Sequence, residues 1–147
     1  MNGETNVFFD SNVLIYHLGG VELAKPLIES VEDGRIKGFI NPIVASEVLF
    51  FYVKAKTGLK SYEIKKKPSV LADIELEPVF ELFSLFSMLD VNSEIVKNSK
   101  RVMESYYLLP NDALIVSTCE FYGIRRIATF DEDFKRVKWL EIISNQQ

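Results

Sequence analysis

Carboxylates at the junctions of strands and helices are the residues in this chain whose types and spacing could do chemistry. Asp10 ends a short apolar run at 7–9, and Asp131 ends a longer one at 124–130. Asp112 sits at the start of an apolar-periodic stretch behind Pro110, with Asn111 as its expected N-cap. Glu47 lies about a turn and a half into another such stretch, opened by Asn41 and Pro42. Asp133 follows two residues after Asp131, where the chain is expected to have turned away, and is a candidate fifth member. Strand ends and helix starts share one edge of a parallel sheet, outside the carboxyl ends of the strands, where ligands of such sheets bind. Like charges gathered there repel unless protonated or bridged by cations, and an all-oxygen set suits a hard ion such as Mg²⁺ or Mn²⁺. Zinc is disfavoured, because the chain has a single His, His17, and a single Cys, Cys119.

The elements that must position these acids follow a βαβ rhythm. Strands are expected at 7–9, 38–41, 88–91, 124–130 and 139–143. Helices are expected after Asp10, over 21–31 with Pro26 near the first turn, from Asn41-Pro42 onward, over 74–86, from Asn92 or Ser93 to Tyr107, and from Pro110 to Gly123. The helix carrying Glu47 also holds Val44, Val48, Leu49, Phe50, Phe51 and Val53, more apolar surface than one stripe needs, and is expected to be buried on more than one side. A carboxylate among such neighbours needs a partner, either a metal or a Lys or Arg. In the 74–86 stretch, Val79, Phe80, Phe83 and Phe86 share one face, with Leu82 and Leu85 on a second. The surplus apolar faces of these two segments predict an interface with another protein. Residues 54–73, with Gly58, Pro68 and the run Lys65-Lys66-Lys67, read as exposed turns or short helix.

At 147 residues and 48% hydrophobic content, the chain suits a single domain over 1–147, with its core at about 7–143 and a polar tail at 144–147. Its apolar runs are broken by charges, so neither a membrane span nor a secretory signal is expected. The lone Cys119, on the apolar side of its helix, cannot form an internal disulfide and fits a reducing cytoplasm. A net charge of −4 excludes a protein that holds nucleic acid by bulk positive charge, but a metal held by clustered acids would reverse the field locally.

The stretches DSNVLIY at 10–16, ASEVL around Glu47, PNDALIVST around Asp112 and TFDEDF at 129–134 resemble the PIN-domain ribonucleases, especially VapC-type toxins. The resemblance runs from about residue 7 to 143 in matching order. It implies a Rossmann-like three-layer α/β fold with a parallel five-stranded sheet and helices on both faces. It also implies a Mg²⁺ or Mn²⁺ site, cleavage of RNA, frequently a homodimer, and for a toxin an antitoxin partner. Asp10, Glu47, Asp112 and Asp131 match the family's acidic quartet, with Ser11 and Thr129 at its hydroxyl positions. On that resemblance Asp10 and Asp112 are primary metal ligands, Asp131 a ligand or holder of a second ion, and Glu47 a ligand or proton acceptor. Lys54, Lys56, Lys135 and Arg136 are candidate RNA-phosphate contacts. Pro110-Asn111 departs from the small residues expected before the third acid, and residues 54–90 carry no family pattern.

Other classes lack their chemistry here. A receiver domain needs paired acids after the first strand, and a haloacid-dehalogenase-like phosphatase needs Asp-x-Asp there. Asp10 is followed instead by Ser11 and Asn12. Gly19-Gly20 is no phosphate-binding loop. The alternatives that survive are an RNA-processing PIN nuclease without an antitoxin and a non-catalytic PIN-like scaffold that binds RNA or protein.

Overall fold

The computed structural model describes residues 5–144, so the polar tail read at 144–147 falls, apart from Ser144, outside the described residues. Five parallel strands, β1 (Asn6–Phe9), β2 (Lys37–Ile40), β3 (Ser87–Met88), β4 (Arg126–Ala128) and β5 (Glu141–Ile143), form one sheet in the order β3-β2-β1-β4-β5. From the central β1 the chain steps outward to β2 and β3, then returns to β4 on the other side. The order therefore reverses between β1 and β4, and the crevice beyond their carboxyl ends is where an open α/β sheet takes its ligand. Val7, Phe8 and Phe9 are fully buried, as a central strand covered on both faces demands.

The helices are α1 (Ser11–Leu18), α2 (Lys25–Glu32), α3 (Pro42–Thr57), α4 (Ser61–Lys66), α5 (Glu77–Phe83), α6 (Ser93–Tyr106) and α7 (Pro110–Tyr122). Their starts follow from cap chemistry. Asn41 Oδ1 accepts from Val44 N at 3.0 Å and Asn92 Oδ1 from Ile95 N at 3.0 Å, each satisfying a backbone donor that the first turn leaves free. Gly38 lets β2 lie against Phe86, since a Cβ there would meet the Phe86 ring at 2.6 Å.

Several elements are shorter than the apolar pattern suggests. The helix expected over 21–31 begins as a 3₁₀ turn, Glu22–Ala24, and becomes α-helical only at Lys25, with Pro26 in the first turn. The third strand is a two-residue edge strand, lengthened by a bond from Leu89 N to Ile40 O at 2.8 Å. Residues 54–73 finish α3 and then form α4 and a 3₁₀ turn, Pro68–Asp73.

The expectation that α3 is buried on more than one side is not met within the chain. Val44, Val48 and Tyr52, spaced by four, are buried, whereas Phe50 is 59% and Phe51 51% exposed. Helix α3 packs against α1, α5 and α7 along one stripe, and one stripe is all a helix on the surface of a single layer can bury. Its outer side walls an apolar groove of about 610 Å³ lined by Leu49, Phe50, Val53, Ile64, Leu71 and Met88. On α5 the inward residues are Val79, Leu82 and Phe83, while Phe80 points outward. Among the described residues no helix is long and apolar enough to cross a membrane, and Cys119 is a buried free thiol.

Candidate metal centre

The site is built at the switch point. Asp10 N donates to Ala128 O at 3.0 Å, continuing the pairing of β1 with β4 one residue beyond the strands. The Asp10 side chain caps α1, Oδ1 accepting from Ser11 N at 2.8 Å, and Oδ2 accepts from Thr129 Oγ1 at 2.8 Å. Thr129 is itself a junction, its Oγ1 accepting from Asp131 N at 3.0 Å and from Asn12 Nδ2 at 3.4 Å. Asn12 Oδ1 in turn accepts from Phe130 N at 3.3 Å, so the first turn of α1 holds the chain where it leaves β4. Ser11 contributes its backbone N–H to this arrangement.

Asp112 lies in the first turn of α7. Asp112, Asp131 and Asp133 each offer a carboxylate oxygen within 4.8 Å of the others'. Asp133 does not turn away from the edge. Asp131 Oδ1 accepts from Asp133 N at 2.9 Å and opens the 3₁₀ turn Glu132–Arg136, whose tight coil returns Asp133 to the edge. Asp131 is thus the cap of this turn.

Glu47, half-buried on α3, receives an amide rather than a Lys or Arg. Asn111 Nδ2 donates to Glu47 Oε2 at 2.9 Å. Asn111 is not the N-cap of α7. Pro110 occupies the first helical position and Leu109 the cap, so Asn111 falls inside the first turn with its side chain free to reach α3. Asn111 and Asn12 are the site residues that sequence reasoning missed. Their signal was adjacency, a hydrogen-bonding side chain beside Asp112 and two residues after Asp10.

The electrostatics show how far these groups crowd one another. Burial pushes the Asp10 carboxyl up to about 6, against the lowering effect of its bonds to Thr129 and Ser11, and the charges of Glu47 and Asp131 push it further. Asp112 is pushed up to about 7, first by burial and then by the charges of Asp10, Asp131, Glu47 and Asp133. Oxygen donors that raise one another's proton affinity are relieved by a hard divalent cation, so this donor set fits Mg²⁺ or Mn²⁺.

Each candidate phosphate contact has a neighbour within the chain. Lys135 pairs with Glu132, and Arg136 Nη2 donates to Asp133 Oδ1 at 3.1 Å. Lys54 lies over the Phe50 ring and Lys56 over the Tyr52 ring, on the outer part of α3. At the opposite end of the sheet, Arg126 faces Glu141 across β4 and β5, with Nε and Oε1 3.5 Å apart.

Comparison with known proteins agrees with this arrangement. The PIN domain family matches residues 7–140. Ribonuclease VapC2 of Methanocaldococcus jannaschii is 61% identical over 140 residues, covering 95% of this chain and 94% of that protein. Ribonuclease VapC6 of the same organism is 34% identical over 148 residues, covering 95% of this chain and 97% of that protein. Among solved structures, a chain of the toxin-antitoxin complex from Klebsiella pneumoniae superposes with a TM-score of 0.65 at 21% identity, over 96% of this chain and 98% of that one. FitAcB from Neisseria gonorrhoeae gives a TM-score of 0.65 at 19% identity, over 95% of this chain and 97% of that one. At such identities the structural likeness speaks to the fold.

Proposed function

The chain belongs to the PIN-domain family and is of VapC type, and from that premise we propose that it is a ribonuclease toxin whose acid edge holds Mg²⁺ or Mn²⁺ to hydrolyse RNA phosphodiester bonds. The carboxylates of Asp112, Asp131 and Asp133, with oxygens within 4.8 Å of one another, and the charges of Asp10 and Glu47 that act on Asp112 beside them carry this reading. The 61% identity to a protein named a ribonuclease gives the reaction class.

Asp10, Asp112 and Asp131 are the residues that hold the cation, with Asp133 beside them. When bound, such a cation lowers the pKa of a coordinated water and neutralises charge on the phosphoryl oxygens during in-line displacement. Thr129 and Asn12 fix where Asp10 and Asp131 stand, so the carboxylates need little rearrangement to receive the ion. Asn111 holds Glu47 Oε2, which leaves Oε1 to take the proton of the attacking water as its oxygen bonds to phosphorus and the leaving oxygen departs. No protein nucleophile is required.

The chain acts as a single PIN domain in the cytoplasm, a compartment that suits its one reduced, buried thiol. Its partners are RNA, an antitoxin protein and a second copy of itself. A protein partner is supported by the exposed Phe50, Phe51 and Phe80 and by the neighbouring toxin-antitoxin complex from Klebsiella pneumoniae. Cleavage of an end-labelled single-stranded RNA tests the reaction. Product should form with Mg²⁺ or Mn²⁺, stop in excess EDTA and resume when metal is restored. Undiminished cleavage in EDTA would overturn the metal-dependent reading.

A further inference from the structure

Helices α3, α6 and α7 all close on a residue with left-handed backbone angles, yet they do not close alike. Gly58 ends α3 and Gly123 ends α7, and glycine adopts positive φ without a Cβ clash. Tyr107 ends α6 at φ 57° and ψ 43°, the only non-glycine residue with positive φ among the described residues. A bulky side chain in that conformation is strained. Packing does not offset the strain, because the Tyr107 side chain is 80% exposed. Backbone strain of this kind, held by its surroundings, clusters at functional sites.

The turn is also tied to the acid edge. Arg136 Nη1 donates to Tyr107 O at 2.7 Å while Nη2 of the same guanidinium donates to Asp133 Oδ1 at 3.1 Å. One side chain thus pins the tyrosine's backbone to a carboxylate of the proposed metal centre. The same guanidinium is paired with an acid, as is Lys135 beside it with Glu132. On a chain of net charge −4, with Arg136 and Lys135 each paired to an acid, bulk positive charge offers little to hold a strand across the edge. An aromatic face can hold one, because every unpaired base has a π-surface to stack on it.

We propose that Tyr107 is a base-stacking platform that holds a nucleotide of single-stranded RNA beside the acid edge. This rests on the ribonuclease reading. Steady-state cleavage of an unstructured RNA by Tyr107→Gly, Tyr107→Ser, Tyr107→Phe and Tyr107→Trp tests it. The Gly and Ser variants should raise KM by roughly 5- to 100-fold, the range for losing one stacked base, with kcat within about twofold. Phe and Trp keep the ring and should stay within about threefold of the wild-type KM. The melting temperature of Tyr107→Gly should equal or exceed that of the wild type, since glycine removes the strain. Wild-type KM in both the Gly and Ser variants would overturn the platform, including the case in which they weaken only the hold on a protein partner. Tyr107→Phe as impaired as Tyr107→Ser would also overturn it, by assigning the effect to the hydroxyl. A wild-type protein that cleaves no RNA would instead sink the ribonuclease reading itself.

Discussion

The acid edge and the outer faces of α3 and α5 are both patches of surplus residues, charged in one case and apolar in the other, and the fold treats them oppositely. At the edge, Asp112, Asp131 and Asp133 bring carboxylate oxygens within 4.8 Å of one another, Thr129 ties Asp10 to the same edge with Asn12 behind it, and Asn111 holds Glu47 beside them. On the outer faces, Phe50, Phe51 and Phe80 stay in solvent beside an open groove. A carboxylate is costly to bury unsupported, so its placement and its partners must be specified by the chain itself. Apolar surface is permissive. The same residues can fill a core or wait for another molecule, and periodicity does not say which.

The largest effect that would sharpen this contrast is on catalysis. Asp112→Asn should lower RNA cleavage by more than about 100-fold, beyond the 10- to 100-fold typical of outer-shell metal partners. Its melting temperature in EDTA should be unchanged or higher, because one charge leaves a repulsive group at constant shape. Loss of fold together with activity would make the acids structural.

A second test uses pH without metal. Asp10 and Asp112 are raised to about 6 and about 7 from an ordinary 3.8, so the folded state binds their protons more tightly than the unfolded chain does. The stability this contributes is fully present below about pH 3.8 and is lost as pH rises through 6 to 7. For the buried Asp10 the loss is about 3 kcal/mol at 1.36 kcal/mol per unit. Wild type in EDTA should therefore lose stability relative to Asp10→Asn across that window, and Mg²⁺ should restore it at neutral pH. Parallel denaturation curves for the two proteins from pH 4.5 to 8 would contradict the crowding.

Asn111→Ala should cost about tenfold in activity, in the range of a lost carboxylate-orienting contact, while Asn111→Asp should do worse by adding a like charge beside Glu47. Activity equal to wild type in both would mean that Glu47 needs no orienting partner. The smallest effect belongs to the other region. Phe50→Ser and Phe51→Ser should change the stability of the isolated chain by no more than about 0.5 kcal/mol, as surface substitutions do. Losses of several kcal/mol in urea unfolding would place these rings in the core after all.

What was legible in the sequence follows the same division. Asp10 after an apolar run, Asn41-Pro42 and Asn92 announce their elements because caps and strand ends are local chemistry, and the structure places each where that chemistry predicts. Thr129 was legible only through the family resemblance, since its bond to Asp10 joins β1 to the end of β4 across more than a hundred residues of sequence. The chain's expected turn away at Asp133 fails because a 3₁₀ coil, which returns Asp133 to the edge, cannot be told from an open loop in TFDEDF. Asn111 was misread because a Pro at the first helical position moves the cap back to Leu109. Phe80 and Leu82 exchanged faces because α5 is apolar nearly all round, and such a helix has no stripe to read.

The central claim is that the edge acids form one divalent-cation site, and calorimetric titration of the metal-free protein with Mn²⁺ near pH 7.5 tests it most directly. Wild type should show saturable binding, and the same titration of Asp112→Asn should show binding weakened by at least about tenfold with the fold intact. Saturable binding of equal strength in the two proteins, or none in the wild type, would contradict the account.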